Sequence, residues 1–201
     1  MILHFYLRYS TKFGEAVFVS GNITVLGGDD IAKPFALTYL NDQLWHGSVE
    51  IDTKDMDEPV SYRYILKDEH GELYTEFGND RILELNKTKA SKIVAYDTWN
   101  YAGEHENAFF TAPFTDVLLK RKAVKETASK KPVKATHQFK VKAPLLKEDE
   151  MICISGSGGV FNDWDKEKVL LLSKKDNWWT IELDLAKTVF PLGYKYGIYN
   201  I

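Results

Sequence analysis

The chain has 201 residues, with 26 Lys and Arg against 29 Asp and Glu and a formal net charge of −3, so neither nucleic acid nor an anionic membrane is an expected partner. Hydrophobic residues make up 44% and charged residues 27%, the balance of an ordinary globular protein without an 18-residue apolar run. The N-terminus Met1-Ile2-Leu3-His4-Phe5-Tyr6 lacks a basic stretch followed by an apolar one and a cleavage site, so an unexported, cytoplasmic chain is expected, and its one cysteine, Cys153, forms no intrachain disulfide.

Strand signals dominate from the start. Leu3-Phe5-Leu7-Tyr9 alternates at period two, as do Val17-Val19, Trp45-Gly47-Val49-Ile51 and Val60-Tyr62-Tyr64-Leu66. Asp68-Glu69-His70-Gly71 then separates that last run from Glu72-Leu73-Tyr74-Thr75, the spacing of a hairpin. Ile93 to Asp97 closes this first unit. The segment 102–121 contains Phe109-Phe110-Thr111-Ala112-Pro113-Phe114; it is too apolar for a free linker and is expected to pack on the first domain. Residues 122–135 read as a flexible basic linker, with no aromatic residue on which a base could stack.

Beyond the linker the pattern begins again. Phe139-Val141-Ala143, Met151 to Ile154, Trp178 to Leu183 and Gly193 to Ile198 repeat the strand signals, with Cys153 alternating between Ile152 and Ile154 as a buried thiol would. Val17-Phe18-Val19-Ser20-Gly21 is matched by Ile152-Cys153-Ile154-Ser155-Gly156, and Tyr62-Arg63-Tyr64 by Tyr194-Lys195-Tyr196. The separation from glycine to cation is 42 residues in one case (Gly21 to Arg63) and 39 in the other (Gly156 to Lys195). An all-β fold of two antiparallel β-sandwich domains follows, one over 1–101 and one over 136–201, the second incomplete at its C-terminus.

No catalytic constellation accompanies this architecture. There is no Gly-x-Ser-x-Gly, no His-Glu-x-x-His and no Cys-x-x-Cys, and the histidines are scattered. Ser155-Gly156-Ser157-Gly158-Gly159-Val160 follows a strand as a dinucleotide loop does, yet Phe161 stands where a third glycine is needed. No catalytic residue, cofactor or metal is expected. The informative chemistry is aromatic: Phe13 beside Gly14, Tyr74 near Gly78-Asn79-Asp80-Arg81, and Trp164 in Asn-Asp-Trp-Asp all sit at turn-bounded positions. A ring exposed on a rigid sheet edge stacks on the C–H face of a sugar while neighbouring polar groups bond its hydroxyls.

On these residues the sequence resembles the starch-binding domains of carbohydrate-binding module family 20, in tandem. The first copy offers Phe13-Gly14-Glu15, Val17 to Gly21, Leu26-Gly27, Trp45, Tyr62-Arg63-Tyr64, Tyr74, Asn79 and Asp97-Thr98-Trp99. The resemblance implies an immunoglobulin-like sandwich with two sugar sites. In the first copy it assigns Arg63, Tyr74 and Asn79 to site one, where Asp29 replaces the family's tryptophan. It assigns Phe13 and Tyr39 to site two, with Trp45 favoured as core. In the second copy it assigns Trp164 and Lys195 to site one, while Leu146, Lys147 and Glu148 occupy the region of Phe13; Trp178 and Trp179 both approximate the strand tryptophan. Tandem modules with such an aromatic segment between them are similar to the start of 4-alpha-glucanotransferases of the disproportionating-enzyme-two type. There the partners would be an α-glucan and a C-terminal catalytic barrel of the same polypeptide, acting in maltose and glycogen metabolism. Two rival expectations remain: a docking or dimerising scaffold that has lost sugar binding, and a starch-binding region serving a different glucan-active enzyme.

Overall fold

In the computed structural model of the protein, residues 1–52, 58–85, 88–119, 132, 134–175 and 177–201 are described. The linker expected over 122–135 lies mostly outside them. Two compact units result, Met1–Asn107 and Ala108–Ile201.

In the first unit, β1 (Ile2–Arg8), β2 (Ala16–Gly21), β3 (Phe35–Ala36), β4 (Thr38–Asn41), β5 (Leu44–Glu50), β6 (Val60–Lys67), β7 (Leu73–Thr75), β8 (Arg81–Leu83) and β9 (Lys92–Thr98) form two sheets. One has the order β4-β5-β1-β9; the other runs β3-β2-β6-β7, with β8 also pairing β6. Every pairing is antiparallel except β1 with β9, which is parallel. Period-two alternation places Leu3, Phe5 and Leu7 of β1 inward against Val17, Val19, Tyr62, Tyr64 and Leu66.

The core also holds polar groups. Tyr62 and Tyr64 both donate their hydroxyls to Asp97 Oδ2, at 2.7 and 2.9 Å. Burial, and then the Asp97 charge, pushes both phenols well above the ordinary tyrosine value of 10.0. With the folded pKa raised, the stabilising contribution is complete below pH 10 and is lost as pH rises toward the folded-state values. Thermal melting across that range should therefore show the first unit weakening only above pH 10, with tyrosinate absorbance from these rings appearing together with unfolding. Ionisation of every tyrosine before any loss of structure would contradict this.

The second unit contains β10 (His137–Val141), β11 (Glu150–Gly156), β12 (Leu170–Leu171), β13 (Ser173–Lys175), β14 (Trp178–Leu183) and β15 (Tyr194–Asn200), in sheets β10-β14-β13 and β12-β11-β15. These strands correspond to β1 through β6 in order and pairing. Gly21 lies opposite Tyr62 and Ser20 opposite Arg63, while Gly156 lies opposite Tyr194 and Ser155 opposite Lys195. Leu7 faces Trp45, and Val141 faces Trp179. Trp179, 6% exposed and in the core, is thus the counterpart of Trp45, which also is 6% exposed. Cys153 is buried on the opposite side of β11 from Ile152 and Ile154, and burial pushes its thiol up.

The segment 102–121 does not pack whole on the first domain. The units divide after Asn107, whose Nδ2 donates to the Tyr101 carbonyl at 2.8 Å. From Ala108 onward the chain belongs to the second unit, where the Phe110 ring lies under Lys142 Nζ at 4.7 Å, and Lys142 also caps Trp178 at 4.9 Å. Pro113–Leu118 forms a short π-helical turn. Among the described residues no helix is long and apolar enough to cross a membrane, and no cluster of three or more His, Cys, Asp or Glu could hold a metal.

Candidate carbohydrate-binding site

Strand register sorts the candidate residues of the first unit to two ends of the sandwich. The end of β1 at Arg8 meets the start of β5 at Leu44, and the start of β2 at Ala16 meets the end of β6 at Lys67. The β1–β2, β4–β5 and β6–β7 turns therefore share one end.

Phe13 projects there, fully exposed. Its turn is held by the Lys12 amide donating to Glu15 Oε2 at 2.7 Å and the Glu15 amide donating to the Lys12 carbonyl at 3.2 Å. Gly14 follows at φ +92, and a Cβ there would come within 3.1 Å of Glu69 Cβ, so the turn rests against the β6–β7 hairpin. Tyr39, half-exposed, sets its ring edge on Trp45 at 5.5 Å and donates its hydroxyl to Asp42 at 2.8 Å; that bond raises its phenol pKa. Trp45 Nε1 is buried without a hydrogen-bond partner among the described residues, and the ring belongs to the core, as favoured from the sequence.

Tyr74 joins this end rather than site one. It lies opposite Leu66, three residues along β6 from Arg63 and on the other face of the strand. Its hydroxyl donates to Glu72 Oε2 at 2.8 Å and reaches Asp68 at 3.4 Å, which pushes the phenol up to about 12. Thr75, opposite Ile65, is the β7 residue on Arg63's face.

At the far end, Arg63 Nε bonds Asp80 Oδ1 at 2.5 Å, with both side chains about one-third exposed. Asn79 is exposed in the preceding turn, which Asn100 fastens by donating Nδ2 to the Phe77 carbonyl at 2.7 Å. The group that meets Arg63 is thus Asp80, the residue after Asn79. Asp29 donates its amide to the Gly21 carbonyl at 2.8 Å, beside the strand position of Arg63. Three successive residues here have positive φ: Gly27 at +100, Gly28 at +60 and Asp29 at +65.

The second unit builds the same loop with different side chains. Asn162, Asp163 and Trp164 have φ of +56, +48 and +64, and Phe161 fills the core where Leu26 does, both at 0% exposure. Asn162 donates Nδ2 to the Lys168 carbonyl at 2.6 Å, and Asp163 Oδ1 accepts from the Gly158 amide at 2.7 Å. These bonds fix the left-handed run that three non-glycine residues would otherwise resist. Trp164 remains 45% exposed, its Cζ2 lying 3.6 Å from where a Gly193 Cβ would be. Lys195, two residues further on, projects from the same side of the strand. Trp164 and Lys195 thus both lie at the Gly193 end of β15. At the opposite end the Lys147 amide donates to Glu150 Oε2 at 2.8 Å and the Glu150 amide to the Lys147 carbonyl at 3.2 Å, duplicating the Phe13 turn bond for bond. The counterpart of Phe13 is Glu148, with Leu146 buried and Lys174, opposite Trp179, in place of Tyr39.

Residues 1–94 match the family model described as starch binding domain. Over 207 aligned residues the chain is 26% identical to the 4-alpha-glucanotransferase DPE2 of Oryza sativa subsp. japonica, covering 96% of this chain and 22% of that protein; it thus spans about a fifth of its relative's length. Among solved structures, a glycoside hydrolase family 15 glucoamylase from Hypocrea jecorina is 28% identical with a TM-score of 0.44, covering 49% of this chain and 17% of its own. The family 20 module of a maltotetraose-forming amylase from Pseudomonas saccharophila is 16% identical with a TM-score of 0.41, covering 49% of this chain and 100% of its own. With its motif residues placed as described above, the region 1–94 belongs to the starch-binding domains of carbohydrate-binding module family 20.

Proposed function

We propose that the chain is an α-glucan-binding region in which each unit contributes one platform: Phe13 with Tyr39 in the first, Trp164 with Lys195 in the second. The observation that carries this reading is Phe13, a large ring wholly in solvent on a turn held at both ends by hydrogen bonds. A core residue would be covered; a sugar-stacking residue must be open. Tyr74 and Trp164 are also half-exposed, which supports sugar binding over a scaffold whose rings have turned inward. In this reading the second unit is a second starch-binding module. The region would serve a cytoplasmic 4-alpha-glucanotransferase of maltose and glycogen metabolism, holding a polymeric acceptor for a catalytic domain elsewhere in the same polypeptide.

A ring stacked on glucose contributes about 1 kcal/mol, so each platform alone is weak and the pair gains through effective concentration. Affinity electrophoresis in glycogen tests this. Phe13→Ala is expected to weaken retention about fivefold, whereas Asp29→Ala leaves it nearly unchanged. Equal and negligible effects would reject the assignment of Phe13.

A further inference from the structure

Beside Trp164, the second unit carries an apolar loop that the sites above do not use. Residues 184–193 join β14 to β15, and both ends of this loop are fastened. At its start Leu185 is buried, its amide donating to Thr136 Oγ1 at 2.7 Å, and the Thr188 amide donates to the Leu185 carbonyl at 3.0 Å. At its close Leu192 packs on the core. The Gly193 amide donates to Ser157 Oγ at 2.9 Å, and the Ser157 amide to the Gly193 carbonyl at 2.8 Å. Ser157 begins the very loop that presents Trp164, and a Cβ on Gly158 would meet Leu192 Cδ2 at 3.3 Å. The two loops are therefore one clamped body.

The tip between these anchors is exposed and apolar. Val189 is 85% exposed and Phe190 57%. One face of the Phe190 ring is stacked on His137 at 5.8 Å and 29°, which holds the ring in place. Phe190 lies three residues before Gly193, so its Cα is at most about 11 Å from the strand position on which Trp164 rests. A glucan of several units seated on Trp164 is long enough to reach across that distance.

The first unit supplies an internal comparison. The connection between β5 and β6 reads Asp52-Thr53-Lys54-Asp55-Met56-Asp57-Glu58, five charged residues and no ring. In that unit the platform position holds Asp29. In the second unit, where that position holds Trp164, the loop 184–193 has two charged residues, Asp184 and Lys187, and carries Val189-Phe190-Pro191-Leu192. Loop and platform change character together within one chain.

We infer that Phe190 is a further sugar-stacking residue, extending the Trp164 platform so that the second unit selects longer α-glucans over short oligosaccharides. This rests on the reading of Trp164 as a glucan platform. The test uses the whole chain carrying Phe13→Ala, so that the first unit's ring is silent, titrated with maltose and with maltoheptaose while the Trp164 indole N–H is followed by NMR. Phe190→Ala is expected to weaken maltoheptaose about fivefold and leave maltose unchanged, with Phe190→Tyr restoring the difference. Unchanged affinity for both sugars in Phe190→Ala, alongside loss of both in Trp164→Ala, would overturn the inference and leave the Trp164 platform standing. Equal loss of both sugars in Phe190→Ala, unrestored by Phe190→Tyr, would also overturn it. Failure of either sugar to bind before Phe190 is changed would remove the platform and the inference with it.

Discussion

Arg81→Met is expected to cost the first unit about 3–5 kcal/mol, the penalty for breaking a buried ion pair from one side. The guanidinium donates Nε to Glu76 Oε1 at 2.9 Å, Nη2 to Glu76 Oε2 at 2.6 Å, Nη1 to Asp97 at 3.1 Å and Nη2 to the Thr98 carbonyl at 2.8 Å. Glu76 is 5% exposed and also accepts the Tyr64 amide at 3.1 Å. Asp97 already takes two tyrosine hydroxyls. Without Arg81, two carboxylates are left in the protein interior with no cation between them. Against a total of about 5–15 kcal/mol for a domain of this size, at least about a fifth of the stability is at stake. Urea denaturation measures it, and a loss below about 1 kcal/mol would contradict the structure. Adding Glu76→Leu to Arg81→Met should recover part of the loss, because an apolar pair carries no stranded charge. The chain neighbour of Arg81, Asp80, is the partner of Arg63.

Phe161→Ala is expected to cost the second unit about 3–5 kcal/mol. The ring is 0% exposed and lies edge-on to Phe139 at 5.7 Å and stacked with Tyr194 at 6.2 Å. It plugs the base of the turn that presents Trp164, so the void left by alanine opens directly beneath the platform. In a unit of under 100 residues each kcal/mol is worth about 4–8 °C in Tm. A fall of more than about 12 °C, with loss of glucan retention by this unit, is the expected result. A variant that melts within a few degrees of the parent and keeps its retention would show that the turn does not depend on this plug.

Much of this architecture is legible in the sequence because its strongest signals are backbone constraints. The glycine of Ser-Gly and the first tyrosine of Tyr-cation-Tyr are directly opposed in both units, and a Cβ on either glycine would strike a carbonyl oxygen at 2.4 Å. That contact forbids drift in the motif. Phe161, the residue that spoils the dinucleotide reading, proves to be the core plug. Other features are set by tertiary pairing. Trp178 and Trp179 are indistinguishable in sequence, and only the pairing of Val141 separates core from surface. The face and end that Tyr74 takes follow from its pairing with Leu66, a register that proximity to Gly78-Asn79-Asp80-Arg81 in sequence does not specify. The division of 102–121 was also hidden, since apolar composition says that a segment packs but not on which unit.

The run of left-handed residues at 27–29 and 162–164 has a wider consequence. Its backbone holds aspartate in one unit and tryptophan in the other at nearly the same φ, +65 and +64. The conformational penalty of that position belongs to the loop and is met by the hydrogen bonds around it, whichever side chain is displayed. Recognition chemistry can therefore be exchanged at this one residue while the frame stays unchanged. A protein with two such frames can vary the residue displayed on one while the other stays as it is.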